Sequence, residues 1–319
     1  MRQHRSSLVI MAAGIAVLSA CTSATPSTPT AAPASSAPAA AAATPEPSPE
    51  ATPAPTPSPA PTPSLSEVLP RESFSNPTSV DNPYMPLVPG TQFVYRGSVA
   101  GDEGRLSHRV VFTVTDLSMV IDGIETVVVY DVDYTPARVV AETELAFFAQ
   151  DDQGTVWLMG EHPEEYEDGK LIDAPTWISG LDGATAGIVM QAEPSMTAAS
   201  YSQGWAPAVE FADRARTFEM NSKTCVRAGC YEGVLVVDEH NVSEPDAHQL
   251  KYYAPGVGSV RVGHAGALEE TKELLELVRV VTLDEAAMAT LRATALALDA
   301  HAREISPDVY ALTAPLQGP

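Results

Sequence analysis

Basic residues are scarce in this sequence. Its 319 residues include 18 Lys and Arg against 41 Asp and Glu, which gives a formal net charge of −23 at pH 7. Such a strongly anionic chain repels nucleic acid and anionic membrane surfaces, so both are poor partners. Cations, basic proteins and neutral or apolar ligands remain open as partners.

Long apolar runs are lacking too. The N-terminal run from Leu8 to Ala20 spans thirteen residues, which is too short for a transmembrane helix but suits the core of a signal peptide. Two arginines precede it, and it ends in LSAC, which resembles the bacterial lipobox. We predict a lipoprotein signal peptide over residues 1–20, cleavage after Ala20, and a diacylglycerol group on Cys21. The alternative is an ordinary signal peptide whose cleavage region contains a cysteine.

Cysteine is nearly absent, with three in the whole chain. Apart from Cys21 there are Cys225 and Cys230, five positions apart with Gly229 between them. Outside the cytoplasm such a pair is expected to form a disulfide across a tight turn. The alternative is a redox or metal-binding pair, but the spacing is not C-x-x-C and no second pair completes a zinc site.

Residues 22–64 contain 13 of the 28 prolines and no aromatic residue. A segment of this composition cannot bury apolar surface, and its prolines keep it extended. We therefore predict a lipid-anchored, disordered tether over 21–64 and a single globular domain over 65–319. The predicted location is extracytoplasmic, at the outer face of the cell membrane.

The domain is rich in short segments with strand periodicity. Asp122-Gly123 lies between two apolar runs, which is a strong hairpin signal. After it, hydrophobic and aromatic residues alternate with Glu125, Asp131 and Asp133, as in a sheet with one buried side. We predict a mainly β domain, a curved antiparallel sheet or an incomplete barrel.

One amphipathic helix is predicted at the C-terminal end, over 283–306. Thr282 and Glu285 have the spacing of a capping box, and Pro307 ends the pattern. An apolar stripe at helical spacing predicts packing against the sheet. Its members are Met288, Leu291, Ala295, Leu298 and Ala302.

Residues 150–170 concentrate seven carboxylates around one histidine. Two short segments have turn composition, Asp151 to Gly154 and Asp168-Gly169. We interpret the residues between TVWLMG and KLI as a polar connection at the solvent-exposed edge of a sheet. Glu161, His162 and Glu165 are weak candidates for metal ligands, because neither an HExxH motif nor an EF-hand loop is present. The prediction is no bound metal and no cofactor.

Motifs of enzymes are lacking as well. The chain has no G-x-S-x-G elbow, P-loop or Rossmann fingerprint, so catalysis is uncertain and binding is favoured. If the domain has a ligand pocket, we expect its lining among the tryptophans and nearby methionines, which otherwise belong to the core. These candidates are Trp157, Met159, Trp177, Met190 and Trp205.

Four stretches resemble a family of secreted proteins and lipoproteins of actinobacteria and other bacteria. They are DNPYMPLVPGTQFVY, AQDDQGTVWLMGE, DGATAGIVMQAEP and KYYAPGVGSV, within residues 74–265. The resemblance implies no catalytic residue, and the cysteine pair is not part of the family's pattern. The predicted architecture is also similar to that of LolA-like and LppX-like lipoprotein carriers, in which an incomplete barrel holds acyl chains against a helix.

Three functions therefore remain open for a cell-envelope lipoprotein. The first is a non-catalytic module that binds a lipid or another apolar ligand. The second is an interaction or assembly protein that docks a protein partner on an acidic surface. The third is a hydrolase or metal enzyme whose site carries no recognisable motif.

Overall fold

The computed structural model describes residues 66–101 and 104–319. The predicted signal peptide, Cys21 and the predicted tether lie outside these residues. The described chain is 53% strand and has one α-helix, at its C-terminal end, so the predicted fold class is confirmed.

Fifteen strands and one α-helix follow each other along the described part of the chain. The strands are β1 (Thr91–Gly101), β2 (Gly104–Ile121), β3 (Ile124–Tyr134), β4 (Val140–Gln150), β5 (Val156–Glu167), β6 (Lys170–Asp173), β7 (Trp177–Ile178), β8 (Thr185–Met190), β9 (Tyr201–Ser202), β10 (Gly204–Trp205), β11 (Asp213–Val226), β12 (Gly229–Asn241), β13 (His248–Ala254), β14 (Gly258–Ala265) and β15 (Leu274–Thr282). The helix is α1 (Glu285–Ile305).

Thirteen of the strands form one antiparallel, nearly closed barrel. Their order is β10-β8-β5-β4-β3-β2-β1-β15-β14-β13-β12-β11-β9, and β6 and β7 add to β5. The two edge strands, β9 and β10, are consecutive in the chain with only Gln203 between them. The segment 201–205 therefore connects the two edges of the sheet.

Tight turns fix the register of the hairpins. Ile121 pairs with Ile124 across Asp122-Gly123, and both turn residues have positive φ, 52° and 84°. This is the backbone that a two-residue type I′ hairpin requires. The predicted hairpin is present, and Asp168-Gly169 makes the same kind of turn between β5 and β6.

Two hydrophobic clusters lie on opposite faces of the sheet. The inner cluster takes residues from strands all around the barrel, such as Phe93, Phe112 and Phe148. The outer cluster covers part of β2 to β5. It includes Phe147 of β4, Leu298 of α1, and Tyr310, which follows α1. The helix thus packs on the outside of the barrel.

The whole predicted stripe of α1 is buried. Its N-cap differs from the prediction: Asp284, rather than Thr282, accepts a hydrogen bond from the Ala287 N–H at 2.8 Å. Asp284 is the residue directly before the helix, and a short carboxylate there satisfies a free N–H and suits the positive end of the helix dipole. Within the described residues, no helix is long and apolar enough to span a membrane.

The predicted polar connection after Gly160 is wrong. β5 continues from Val156 to Glu167, and Glu161, His162 and Glu164 are buried. A central strand tolerates Pro163 because that residue lies between the parts of β5 that pair with β7 and with β6. The outer turns at Asp151 to Gly154 and at Asp168 are where the sequence predicted them.

The Cys225–Cys230 disulfide is present at the end of the β11–β12 hairpin, where the two residues face each other across the strands. Both cysteines are exposed. The predicted disulfide is therefore confirmed, and it closes a loop on the surface.

Candidate functional site

The barrel interior changes character along its strands. The inner face of β3 carries Val127 and Val129, followed by Asp131 and Asp133. The two valines belong to the inner cluster. On β4 the same face runs from Phe148 and Ala146 to Glu144 and Glu142, because Ala146 pairs with Val129 and Glu144 with Asp131. One part of the interior is therefore apolar and another carries carboxylates.

Seven buried carboxyl groups from three separate parts of the sheet (β3 to β5, the start of β15, and β11 with β12) share this second part. We call them the interior acidic cluster: Asp131, Asp133, Glu144, Glu161, Asp213, Glu239 and Glu273. None has more than 7% of its surface exposed. Glu142, on the same face as Glu144, is half-buried and adjoins the cluster.

Neutral donors and one lysine hold several members in place. Trp177 Nε1 donates to Glu161 Oε2 at 2.8 Å. Gln203, from the segment that connects the barrel edges, donates to Glu239 Oε1 at 3.0 Å. The ammonium of Lys251 is 2.7 Å from Glu239 Oε2, and both side chains are 1% exposed. These contacts fix side-chain positions without neutralising most of the negative charge.

His108 is the second buried cation that contacts the cluster within the described chain. Its Nε2 lies 2.6 Å from Asp133 Oδ1, and its Nδ1 lies 2.9 Å from Glu273 Oε1. Burial disfavours the charged ring, but hydrogen bonds to the two carboxylates outweigh it and raise the pKa of His108 to about 10. The imidazole is therefore protonated at neutral pH.

Most of the carboxyl groups hold protons more tightly than usual. Burial raises the pKa of Glu161 to about 8, even though hydrogen bonds with Glu144 and Trp177 oppose it. Burial likewise raises the pKa of Asp213 to about 7, against the hydrogen bond from Asn241. The pKa values of Asp131 and Glu144 rise well above their ordinary range for the same reason and because other carboxylates are near. The cluster is therefore partly protonated near pH 7.

Several carboxylate oxygens of the cluster, Asp213 Oδ2 among them, have no hydrogen-bond partner among the described residues. Asn241 donates to Asp213 Oδ1 at 2.8 Å, but Asp213 Oδ2 is buried and has no hydrogen-bond partner among residues 66–101 and 104–319. A buried acceptor without a partner costs about 1–3 kcal/mol. The raised pKa of Asp213 reduces this cost, because the protonated carboxyl group needs no cation beside it.

The candidate pocket residues from the sequence fall into two separate clusters. Trp157 and Met159 belong to the outer cluster beneath α1, whereas Trp177 and Met190 belong to the inner one. Trp205 is half-buried on the short strand β10. The two groups lie on opposite faces of the sheet, so these side chains do not converge on one pocket.

The weak metal candidates also separate. Glu161 faces the interior, but its neighbour His162 faces outward, where its ring lies 5.0 Å from that of Tyr310. His162 Nδ1 is bonded to the Thr176 hydroxyl at 2.7 Å. Glu165 pairs with Glu142 near the barrel end and is half-buried. Because successive strand residues point to opposite faces, Glu161 and His162 cannot share an ion.

Sequence reasoning missed His108, Lys251 and the buried acids of β3 and β4. Their alternation with apolar residues predicted a solvent face, and that prediction is wrong. The pairing supplies the missing signal: Asp131 lies opposite Glu144, and Asp133 opposite Glu142. Like charges directly across two strands are unfavourable, so such pairing on neighbouring strands indicates that protons or cations must reduce the negative charge there.

Comparisons with known proteins give weak likenesses. No family model matches the chain, and no curated protein matches it. Two solved structures align with it, each at 13% identity and a TM-score of 0.37, over 62% of this chain and 98% of the other. They are a candidate exported protein with a YmcC-like fold from Bacteroides fragilis and a candidate lipoprotein from Parabacteroides distasonis. At this TM-score neither alignment supports a statement about this chain, and the family resemblance stays a prediction.

Proposed function

We propose that this protein is a cell-envelope lipoprotein whose barrel is a non-catalytic module for binding a divalent metal cation. The envelope location is supported by the signal-like residues 1–20 and the lipobox-like cysteine, Cys21. The proline-rich segment 21–64 would give the barrel reach from the membrane. The ligand is inferred from the interior acidic cluster.

The main support for this proposal is the excess of negative charge inside the barrel. The cluster has seven buried carboxyl groups, and within the described chain it contacts two buried cations, His108 and Lys251. Protons supply the missing positive charge, as the raised pKa values of Glu161 and Asp213 indicate. A divalent cation would displace these protons and satisfy the free oxygen of Asp213.

The donor set selects the kind of cation. The free donors are carboxylate oxygens, which are the ligands that Ca²⁺ and Mg²⁺ prefer. A small ion suits this interior better than an organic cation, because an ion needs little empty volume. Among the described residues no three carboxyl groups of the cluster bring ligand atoms within 4.8 Å of one another, so these side chains would have to move closer on binding. Ca²⁺ is favoured over Mg²⁺, since it accepts many oxygen ligands in irregular geometry.

An apolar ligand has less support. The apolar part of the interior contains a cavity of about 20 Å³, lined by residues such as Leu87, Phe93 and Phe112. That volume suits about one water molecule, whereas ligand pockets usually span about 300–1,000 Å³. A lipid would have to displace side chains that already fill the core.

Terbium luminescence tests the proposal. Tb³⁺ replaces Ca²⁺ at oxygen sites, and Trp177 lies within hydrogen-bond distance of Glu161, so excitation of tryptophan should sensitise a bound ion. We expect saturable luminescence from the purified full chain that Ca²⁺ competes away, with affinity rising from pH 5.5 to pH 8 as protons leave. Glu161→Gln should weaken binding at least about tenfold, since it removes a buried charged ligand.

Glu304→Gln is the matched control, because Glu304 is exposed on α1 and should leave the titration unchanged. Equal luminescence from Glu161→Gln and the parent chain would overturn the proposal. A parallel arm measures melting temperature with a long-chain fatty acid. Stabilisation by the fatty acid and not by Ca²⁺ would replace the cation with an apolar ligand.

A further inference from the structure

A second group of potential metal ligands lies on the outer face of β12 and β13. Asp238 and His240 are two positions apart on β12, so they share a face, and His248 begins β13. One ligand atom from each residue lies within 4.8 Å of the other two. Glu239, between the first two, points inward to Lys251 and Gln203. This group is therefore on the opposite face of the sheet from the interior acidic cluster.

The hydrogen bonds of His248 prepare one ring nitrogen for a metal. Its Nε2 lies 2.8 Å from the carbonyl oxygen of Pro245, which can only accept, so Nε2 carries a proton. Its Nδ1 lies 2.6 Å from Asp238 Oδ1. A proton on Nδ1 makes this contact a hydrogen bond to Asp238, and in the neutral ring the Nδ1 lone pair faces the carboxylate oxygen, where a metal ion can take the place of that proton. A backbone carbonyl that fixes the tautomer in this way is typical of metal-bound histidines.

His240 provides an independent observation. Its ring lies 5.0 Å from that of His248, centroid to centroid. Its Nδ1 is enclosed by the protein and has no hydrogen-bond partner among the described residues. A buried ring nitrogen without a partner is unfavourable unless a ligand completes it.

Arg216 orients the carboxylate of Asp238. Its Nη2 and Nε donate to Asp238 Oδ2 at 2.7 and 3.0 Å, which leaves Oδ1 facing His248. The guanidinium also places a positive charge near the site, so the affinity for a cation should be lower than in a site without it.

We propose that Asp238, His240 and His248 bind a divalent transition-metal ion of the zinc type. Zn²⁺, Ni²⁺ and Cu²⁺ bind well to two imidazoles and one carboxylate, whereas Ca²⁺ prefers sites made only of oxygen ligands. Bonds of about 2.0–2.2 Å to zinc hold ligand atoms roughly 3.5 Å from each other, so Asp238 Oδ1 and His248 Nδ1, which are 2.6 Å apart, must separate by about 1 Å to admit the ion. Three protein ligands leave a coordination position for water or for a group from a partner.

The test uses the purified full chain without a histidine tag, stripped of metal with EDTA. Calorimetric titration with Zn²⁺ should show one equivalent bound, and Co²⁺ should give visible absorption bands of a nitrogen-coordinated ion. His240→Ala and His248→Ala should each weaken Zn²⁺ binding at least about tenfold. His301→Ala, which removes a histidine from α1, is the matched control and should bind like the parent chain.

Retention of full Zn²⁺ affinity in both variants would overturn the proposal, as would a parent chain that binds no equivalent. If His240→Ala does not fold, His240→Gln keeps a polar side chain of similar length and replaces it. Glu161→Gln separates this site from the interior one: it should leave Zn²⁺ binding unchanged, whatever its effect on Tb³⁺.

Discussion

The two parts of the barrel interior use the same strands for opposite purposes. On β4, Phe148 and Glu144 lie on the same inner face, four residues apart, and both are buried. Burying Phe148 stabilises the fold by removing apolar surface from water. Burying Glu144 costs stability, since a charged carboxylate loses its hydration or must take up a proton. The acidic part lowers the stability of the fold, and the apolar part beside it raises that stability. A binding function is expected in the part that lowers stability.

The largest expected effect distinguishes the two parts by substitution. Phe148→Ala removes a side chain with no exposed surface and should lower the free energy of unfolding by about 3–5 kcal/mol. Glu144→Gln, on the same strand and face, relieves a carboxyl group that is protonated more readily than usual, and should cost less than about 1 kcal/mol or stabilise the fold. Denaturation with urea, followed by circular dichroism, measures both.

An equal loss of unfolding free energy in the two variants would contradict the difference between the apolar and the acidic part. That result would mean that the acidic part holds the fold together as strongly as the apolar part does, and that its charges are structural.

A second expected effect is a fall in stability as the pH rises. Because the pKa values of Glu161 and Asp213 are about 8 and about 7 in the fold, the folded chain binds more protons than the unfolded chain above pH 4.5. Stability is thus highest near the ordinary carboxyl pKa and falls toward pH 8, by about 1.4 kcal/mol per pH unit for each extra proton. The raised pKa of His108, about 10, acts in the same direction above pH 6.5.

Melting temperatures from about pH 5.5 to pH 7.5 check this slope, which amounts to roughly 3 kcal/mol for one extra proton. Glu161→Gln should flatten it. Glu164 lies on the outer face, and although burial opposes the charge, hydrogen bonds from His162, Tyr166 and His301 lower its pKa. Its contribution has the opposite sign and is lost only as the pH falls below 4.5, outside this range. A stability that rises between pH 5.5 and pH 7.5 would contradict the protonated cluster.

The smallest expected effect lies outside both parts. The Cys225–Cys230 disulfide closes a loop of a few residues at an exposed hairpin end, so its loss should cost about 2 kcal/mol. Unfolding of the double variant Cys225→Ser/Cys230→Ser measures this cost. Its Tb³⁺ binding should equal that of the parent chain, and a changed titration would link the hairpin end to the interior acidic cluster.

Local signals in the sequence predicted much of the fold. Asp122-Gly123 identified a hairpin because only a few residues tolerate positive φ at both turn positions. The stripe from Met288 to Ala302 identified the helix and its buried side. These features depend on neighbours in the sequence, so the sequence alone reveals them.

The candidate site depends on distant pairing and was not predicted. Alternation places Asp131 and Asp133 on one face of β3, but it does not tell which face points inward once the sheet curves closed. In a barrel the inner face is buried whatever its composition, and the outer face is buried only where α1 or another segment of the chain covers it. For the same reason Trp157 and Trp177 could not be assigned to opposite faces from sequence spacing.

The segment 201–205, which connects the barrel edges, has a consequence for how this chain folds. Thr91 in β1 pairs with Thr282 in β15, about 190 residues later, and closure further requires β9 and β10 to reach β11 and β8. At Gly187 a Cβ would lie 2.1 Å from the backbone of Gln203, so the closing contact tolerates no side chain there. Barrels built from such non-local pairing fold slowly and expose strand edges until the last pairing forms. We expect folding of this domain to be limited by closure, with an open-edged intermediate that needs protection from aggregation during that time.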